Sequence, residues 1–574
     1  MITFGVYNHV FKIALSYIKH FFLNLIIRCW PGIERPIVEL RQGKVQGVTD
    51  KLPNGRKYHF FKGIPYAKPP IGELRFRSPE PLKRFNKPVL NCSSDKGFIK
   101  QSLAIFDWPV IGTEDGLYLN VYTPSLPVAG PRKFPVMVYI HGGGFRYGTA
   151  SAAIYDPKYL IQQDVVVVLM FYRLGPLGFL CLPDAGISGN AGLKDQRLAL
   201  KWVHENIYLF GGDAENVTLF GQSAGSWSTY LHYLSPNSRK YFHRVICQSG
   251  DSCTDYAFQV DPEEKARALA RMLGYTGNSD QEVLATLMKA SSTTLLNLQY
   301  DVLSPQEQSC PHRFLFRPVI ERECSEDSII TQTPEEILKR FDTIRMPIIS
   351  GYTSAEGALS LFLSKNRINE YNQHPEWLVP RFLNSLQDDD RRILGNQVKQ
   401  FYIGNKELGW NTLDETCDLM ADLTFVTSNT LSAEWIAKYQ PNVHHYHYLF
   451  DYSGRCNIMK MMISDSIIGA AHGDDIFYMF SPSLLPDLPD DSEECAVRNI
   501  YVRLFTNFAK YGNPTPDESI LGFKWTAVTP LNRDSFSFDL DSLRINQSPE
   551  MVRNVCHKRK EFWRKLIKRH SNML

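Results

Sequence analysis

Apolar positions change their spacing from one region of the chain to the next. Near the start, Asn8, His9, Lys12, Ser16, Lys19, His20, Asn24 and Arg28 recur every three or four positions, which puts them on one stripe of a helix. Val10, Phe11, Ala14, Leu15, Ile18, Phe22, Leu25 and Ile26 fall largely opposite. The pattern predicts a basic amphipathic helix over residues 1–30 that lies in a membrane or lipid interface. Lys12 and Lys19 interrupt the apolar run and no small-residue cleavage site follows, so a signal peptide is the lesser alternative. The same interruptions argue against a spanning helix.

Beyond this segment the period shortens. Val136–Ile140 leads into a glycine loop, and Val165–Phe171 is a continuous apolar run suited to burial on both faces of a sheet. Val217–Phe220 runs into Gly221 and then a helical stretch, while Val245–Cys247, Pro347–Ser350 and His445–Phe450 read as further strands. Alternation of strands with helices predicts an α/β fold, a mostly parallel sheet covered on both faces. Catalytic groups then belong on loops beyond the strand carboxyl ends. No repeat, low-complexity tract or Gly/Ser linker divides the body, so residues 35–570 are expected to form a single domain. The basic stretch from Cys556 to His570 reads as a solvated helix with Phe562, Trp563 and Leu566 packed inward; contact with anionic lipid is its alternative.

Composition narrows this only a little. The chain has 574 residues and a net charge of +3, too balanced for a general nucleic-acid footprint. Its 11 cysteines show no CxxC pairing, so neither a zinc ribbon nor a thioredoxin motif is supported, and mostly buried, reduced thiols are expected.

The chemistry concentrates in two short stretches. Gly221-Gln222-Ser223-Ala224-Gly225 sits between a strand and a helix, the setting of a nucleophile elbow. A serine hydroxyl needs a base to take its proton and donors to hold the developing oxyanion. His141-Gly142-Gly143-Gly144-Phe145, after the strand at Val136–Ile140, offers backbone N–H groups for the second task. It lacks the Lys-Ser/Thr of a phosphate cradle, and no metal, nucleotide or redox cofactor is expected.

Taken together, Phe61–Phe76 (FKGIPYAKPPIGELRF), Glu114–Pro124 (EDGLYLNVYTP), the HGGGF loop, Tyr172–Phe179 (YRLGPLGF), Gly189–Ile207, Phe210–Gly225 and Gly469–Asp475 (GAAHGDD) resemble the type-B carboxylesterases. That group includes the cholinesterases and lies within the α/β-hydrolases. Within it, the insect alpha-esterases look most similar. The resemblance implies an α/β-hydrolase fold with long insertions and a serine carboxylesterase acting on a small ester. It implies Ser223 as nucleophile, His472 in GAAHGDD as base and Glu356 in Gly351–Gly357 (GYTSAEG) as the acid orienting it. The N–H groups of Gly143, Gly144 and Ala224 would form the oxyanion hole. Asp451 and Asp474 compete for the role of acid, and His445 and His447 for that of base. Arg173 and Asp195 match a buried structural ion pair, and Ser249 a polar neighbour hydrogen-bonded to the triad.

Two departures from the family pattern carry expectations of their own. Gly116 stands where the family has the cysteine of EDCL, so Cys92 lacks its usual partner and an intracellular setting is favoured over secretion or the ER lumen. Sequons at Asn91, Asn216 and Asn546 argue weakly the other way. Gln222 replaces a common Glu, which makes cationic choline esters less suitable and uncharged esters more so. Juvenile-hormone esterases also carry Gln there, which keeps a terpenoid ester in view. Trp108 resembles the cholinesterases' cation-binding tryptophan, but its spacing to Gly116 departs by two residues, and core packing is expected instead. The resemblance also admits a slow, organophosphate-scavenging esterase and, from another class, a silent binding or adhesion protein of the same fold. The sequence leaves oligomeric state open.

Overall fold

A computed structural model describes residues 32–570 except 105–107, 128–132, 254–256, 309–310, 314, 381–382, 384–385, 484, 486–487 and 532–539. The expected helix over 1–30 therefore lies outside the described residues. Among those described, no helix is long and apolar enough to cross a membrane.

Among the described residues the central sheet has 11 strands. In chain order they are β1 (Val48–Lys51), β2 (Lys57–Pro65), β3 (Tyr118–Thr123), β4 (Phe134–Ile140), β5 (Val166–Met170), β6 (Gly212–Gln222), β7 (Arg244–Gln248), β8 (Ile348–Thr353), β9 (His445–Phe450), β10 (Asp541–Ile545) and β11 (Glu550–Arg553). Across the sheet they run β11-β10-β9-β8-β7-β6-β4-β5-β3-β2-β1. Pairings from β10 through β5 are parallel, while β11 and the β3, β2, β1 edge run antiparallel. The mostly parallel sheet read from sequence is thus present, with antiparallel margins. Ile37–Leu40, Gly43–Gln46 and Val89–Asn91 form a separate three-stranded sheet.

Burial explains why β5 reads as an unbroken apolar run. Every residue of β5, β8 and β9 is buried, as two covered faces require. Three polar side chains on these strands, Ser350, His445 and His447, are buried with hydrogen-bond partners. Ser350 Oγ lies 2.8 Å from His445 Nε2, while His447 lies 2.7 Å from Ser542 Oγ and 2.8 Å from Asn429 Oδ1. Burial holds the His445 imidazole down at about 3, so it stays neutral there.

Seven helices matter for the site: α1 (Ala191–Asn206), α2 (Ala224–Leu234), α3 (Gly357–Leu363), α4 (Leu413–Ala421), α5 (Thr427–Tyr439), α6 (Glu493–Tyr511) and α7 (His557–His570). α2 is buried on all sides, the signature of a helix sunk into a large core rather than lying on it. A π-helical turn, Asp422–Val426, joins α4 directly to α5. On α7, Trp563, Leu566 and Ile567 are buried and Phe562 stacks on Phe401 with centroids 4.1 Å apart, so the inward face expected from sequence is the one that packs. Arg559 anchors the helix by pairing with Asp418 and, at 2.9 Å, Asp422.

Candidate active site

β6 ends at Gln222 and α2 begins at Ala224, which leaves Ser223 alone in the turn at φ 57, ψ −125. Few non-glycine residues hold such a backbone, and its cost is characteristic of functional turns. Glycine on either side makes the turn possible. A Cβ on Gly225 would lie 2.0 Å from Ile140 O, and one on Gly221 would lie 2.4 Å from Gly225 O. Ser223 N donates to Gln248 O at 2.9 Å, which ties the elbow to β7. The Ser223 hydroxyl makes no hydrogen bond to another described residue.

The glycine loop after β4 packs against this elbow. A Cβ on Gly142 would meet Gln222 O at 2.7 Å and Ser223 Cβ at 3.1 Å, so the loop approaches as closely as backbone allows. Gly143 sits at φ 105 and Gly144 at φ 62, conformations that free their N–H groups from the chain's own carbonyls. Neither N–H donates within the loop, and that of Ala224 opens α2, where no intrahelical acceptor exists. Three backbone donors at the contact of loop and elbow are therefore left without a backbone acceptor among the described residues.

The two partners arrive on loops after β8 and after β9. Glu356 follows β8, and its Oε1 accepts from Thr353 N at 2.8 Å. Its Oε2 lies 2.5 Å from His472 Nδ1. The two loops are laced together: Ala355 and Ala471 form a parallel bridge, Ala355 N donates to Ala470 O at 2.8 Å, and Ala470 N donates to Ser354 Oγ at 3.0 Å. With Nδ1 held as the donor, His472 offers Nε2 as an acceptor, and Gln222 Nε2 donates to it at 3.0 Å. Glu356 is fully buried and His472 nearly so.

The competing residues are occupied elsewhere. Asp451 pairs with Arg544, and Asp474 accepts from the backbone N–H of Met459, Lys460 and Ala471. His445 and His447 are the paired strand histidines described above. Arg173 grips Asp195 through Nε at 2.8 Å and Nη2 at 2.6 Å, with Arg173 N adding a third bond at 3.0 Å. Burial pushes the Asp195 carboxyl up while the guanidinium opposes it.

Two expectations need correction. Ser249 makes no hydrogen bond to the site: its Oγ is buried and without a partner among the described residues. Trp108 is not core; it is 36% exposed on a surface loop. The thiols do follow the reading: all described cysteines are free and most are buried, Cys92 among them. Among the described residues no group of three or more His, Cys, Asp or Glu could hold a metal ion.

Phe425 is the site residue that sequence reasoning missed. Its ring stacks on the His472 imidazole with centroids 4.4 Å apart and planes 25° apart. Trp227 stacks behind it at 6.3 Å and 18°, and Phe145 behind Trp227 at 6.0 Å and 23°. The available signal is the helical phase through Leu419-Met420-Ala421-Asp422-Leu423-Thr424-Phe425, which slips by one residue where the π turn inserts.

Similarity to known proteins bears on the same geometry. A family model described as "Carboxylesterase family" matches residues 34–563. The chain is 33% identical over 539 residues to a juvenile hormone esterase of Tribolium castaneum, covering 88% of this chain and 90% of that one. It is 30% identical over 537 residues to esterase FE4 of Myzus persicae, covering 90% and 91% respectively. Among solved structures, juvenile hormone esterase from Manduca sexta with OTFP covalently attached superposes with a TM-score of 0.80 at 26% identity, over 93% of this chain and 100% of that one.

Proposed function

The chain belongs to the carboxylesterase family and is a carboxylic ester hydrolase, and on that premise we propose that Ser223, His472 and Glu356 carry the reaction. Ser223 Oγ attacks the ester carbonyl while His472 Nε2 takes its proton. The alcohol leaves with that proton, and water, activated by the same nitrogen, releases the acid from Ser223. Glu356 holds the imidazole in the tautomer that frees Nε2 and stabilises the imidazolium when it forms. The N–H groups of Gly143, Gly144 and Ala224 bind the oxyanion, each donor worth about 3 kcal/mol of barrier.

The observation that carries this reading is the 2.5 Å contact between Glu356 Oε2 and His472 Nδ1 beside an elbow serine. The test is steady-state turnover of p-nitrophenyl acetate and butyrate by wild type and Ser223→Ala. Loss of turnover supports the assignment, and retained wild-type turnover ends it.

The substrates are uncharged carboxylic esters of moderate size, on the ground that Gln222 brings no charge to the base. A terpenoid ester is the second reading, favoured by the likeness to juvenile hormone esterases. An ester panel varying leaving-group charge and alcohol size separates the two. We take residues 35–570 as one catalytic domain, supported by a sheet whose strands come from both ends of that span. On sequence grounds the enzyme is intracellular and held at a lipid surface by residues 1–30. N-terminal sequencing of the mature protein is the check: a start near Pro31 replaces this with the secreted alternative.

A further inference from the structure

We infer that Phe425 is a positioning residue for the base, its ring on the π-helical turn Asp422–Val426 fixing the plane of the His472 imidazole. The inference rests on His472 being the base. Glu356 meets the ring at Nδ1 and Gln222 meets it at Nε2, and once Nε2 turns to the serine proton only the Nδ1 bond remains. A single bond at the ring edge leaves the imidazole free to rock, which swings Nε2 away from the serine. A flat aromatic face at 4.4 Å stops it.

The stack has its own foundation. Phe425 is 2% exposed, with Trp227 and Phe145 in a column behind it, and His312 against it at 5.5 Å. His312 is itself held, its Nε2 lying 2.7 Å from Ser360 Oγ on α3, the helix that begins beside Glu356. Phe425 O accepts from Ser428 Oγ at 3.1 Å, one turn further along the rod. α4, the π turn and α5 form one continuous rod. The extra residue of the turn shifts the phase of α5 by about 100°. Such turns recur at functional sites because they re-aim one side chain without breaking the helix. Here the re-aimed side chain meets the base.

The restraint acts on the reacting geometry rather than on substrate binding, so its removal should lower kcat and spare KM. The experiment compares kcat, KM and melting temperature of wild type, Phe425→Leu, Phe425→Tyr and His472→Ala on p-nitrophenyl butyrate. Phe425→Leu is expected to lose about 10- to 100-fold in kcat with KM within about 3-fold, and Phe425→Tyr, which restores the flat face, to recover most of the loss. If Phe425→Leu does not fold, Phe425→Met, unbranched and able to fill the same volume, takes its place with the same expectation. Wild-type kcat in the aliphatic variant, or an equal loss in Phe425→Tyr, overturns the inference while an inactive His472→Ala leaves the base assignment standing. An active His472→Ala removes the base assignment itself.

Discussion

Gln222 Nε2 stands 3.0 Å from His472 Nε2, on the nitrogen through which the serine proton would pass. Two glycines make room for it. A Cβ on Gly142 would lie 3.0 Å from Gln222 Oε1, and one on Gly473 would lie 3.2 Å from its Nε2. The carboxamide is thus wedged between the glycine loop and the loop that carries His472, touching both.

A carboxylate in this position would hold the imidazole in its charged form. Gln222→Glu is therefore expected to move the acid limb of the kcat/KM profile to higher pH by about one unit. It should also improve turnover of a choline ester relative to its uncharged analogue. A pH series on both substrates checks it, and an unmoved limb contradicts it.

The glycine loop after β4 tolerates no side chain at Gly143. A Cβ there would lie 1.9 Å from Tyr147 O, and the residue sits at φ 105. Gly143→Ala should displace a donor and cost about 2.7–4 kcal/mol of barrier, about 10²- to 10³-fold in kcat. Measured kcat within a few fold of wild type would mean that this N–H does not face the oxyanion.

Arg173 and Asp195 test a structural role in the same way. Removing one partner leaves a buried charge without its counterpart, so Asp195→Leu or Arg173→Met alone should destabilise by about 3–5 kcal/mol. The double variant Arg173→Met, Asp195→Leu should recover much of that in chemical denaturation. Additive losses would show that the pair does not act as a unit.

A buried carboxyl gives the pH dependence of stability. Burial pushes Asp251 from 3.8 up to about 7, against the pull of Cys253 N and the Ser428 hydroxyl. Asp474 is pushed to about 7 for the same reason. Unfolding drops each to its ordinary value, so between about pH 4 and 7 the folded protein holds the extra proton and stability falls as pH rises. Asp251→Asn can keep both hydrogen bonds once the Ser428 hydroxyl turns to accept. Its melting temperature should vary less with pH across that window than that of wild type, and an equal slope in both proteins contradicts the expectation.

The parts of the site legible in the sequence are those whose geometry is local. Gly221, Ser223 and Gly225 lie within one turn, and Gly225 is obligatory there because Ile140 O leaves no space for a Cβ. β5 is readable because burial on two faces forces a continuous apolar run, Val166–Met170. Phe425 escapes a periodic reading because its aim depends on one extra residue in a helix, which averaging over turns removes. Ser249 and Trp108 are matched by likeness of motif. Whether such a side chain finds a partner or is covered depends on the packing of distant segments, and a motif carries no record of that. The antiparallel margins of the sheet depend on which edge a strand joins, which its own residues do not encode.

Passage of an acyl group through Ser223 is the step on which the proposed mechanism stands. The most direct measurement is peptide mass spectrometry of enzyme quenched in acid during turnover of p-nitrophenyl butyrate. A butyryl group is expected on the peptide containing Gly221-Gln222-Ser223-Ala224-Gly225, and none in Ser223→Ala. Acyl transfer to another residue, with turnover surviving in Ser223→Ala, would contradict it.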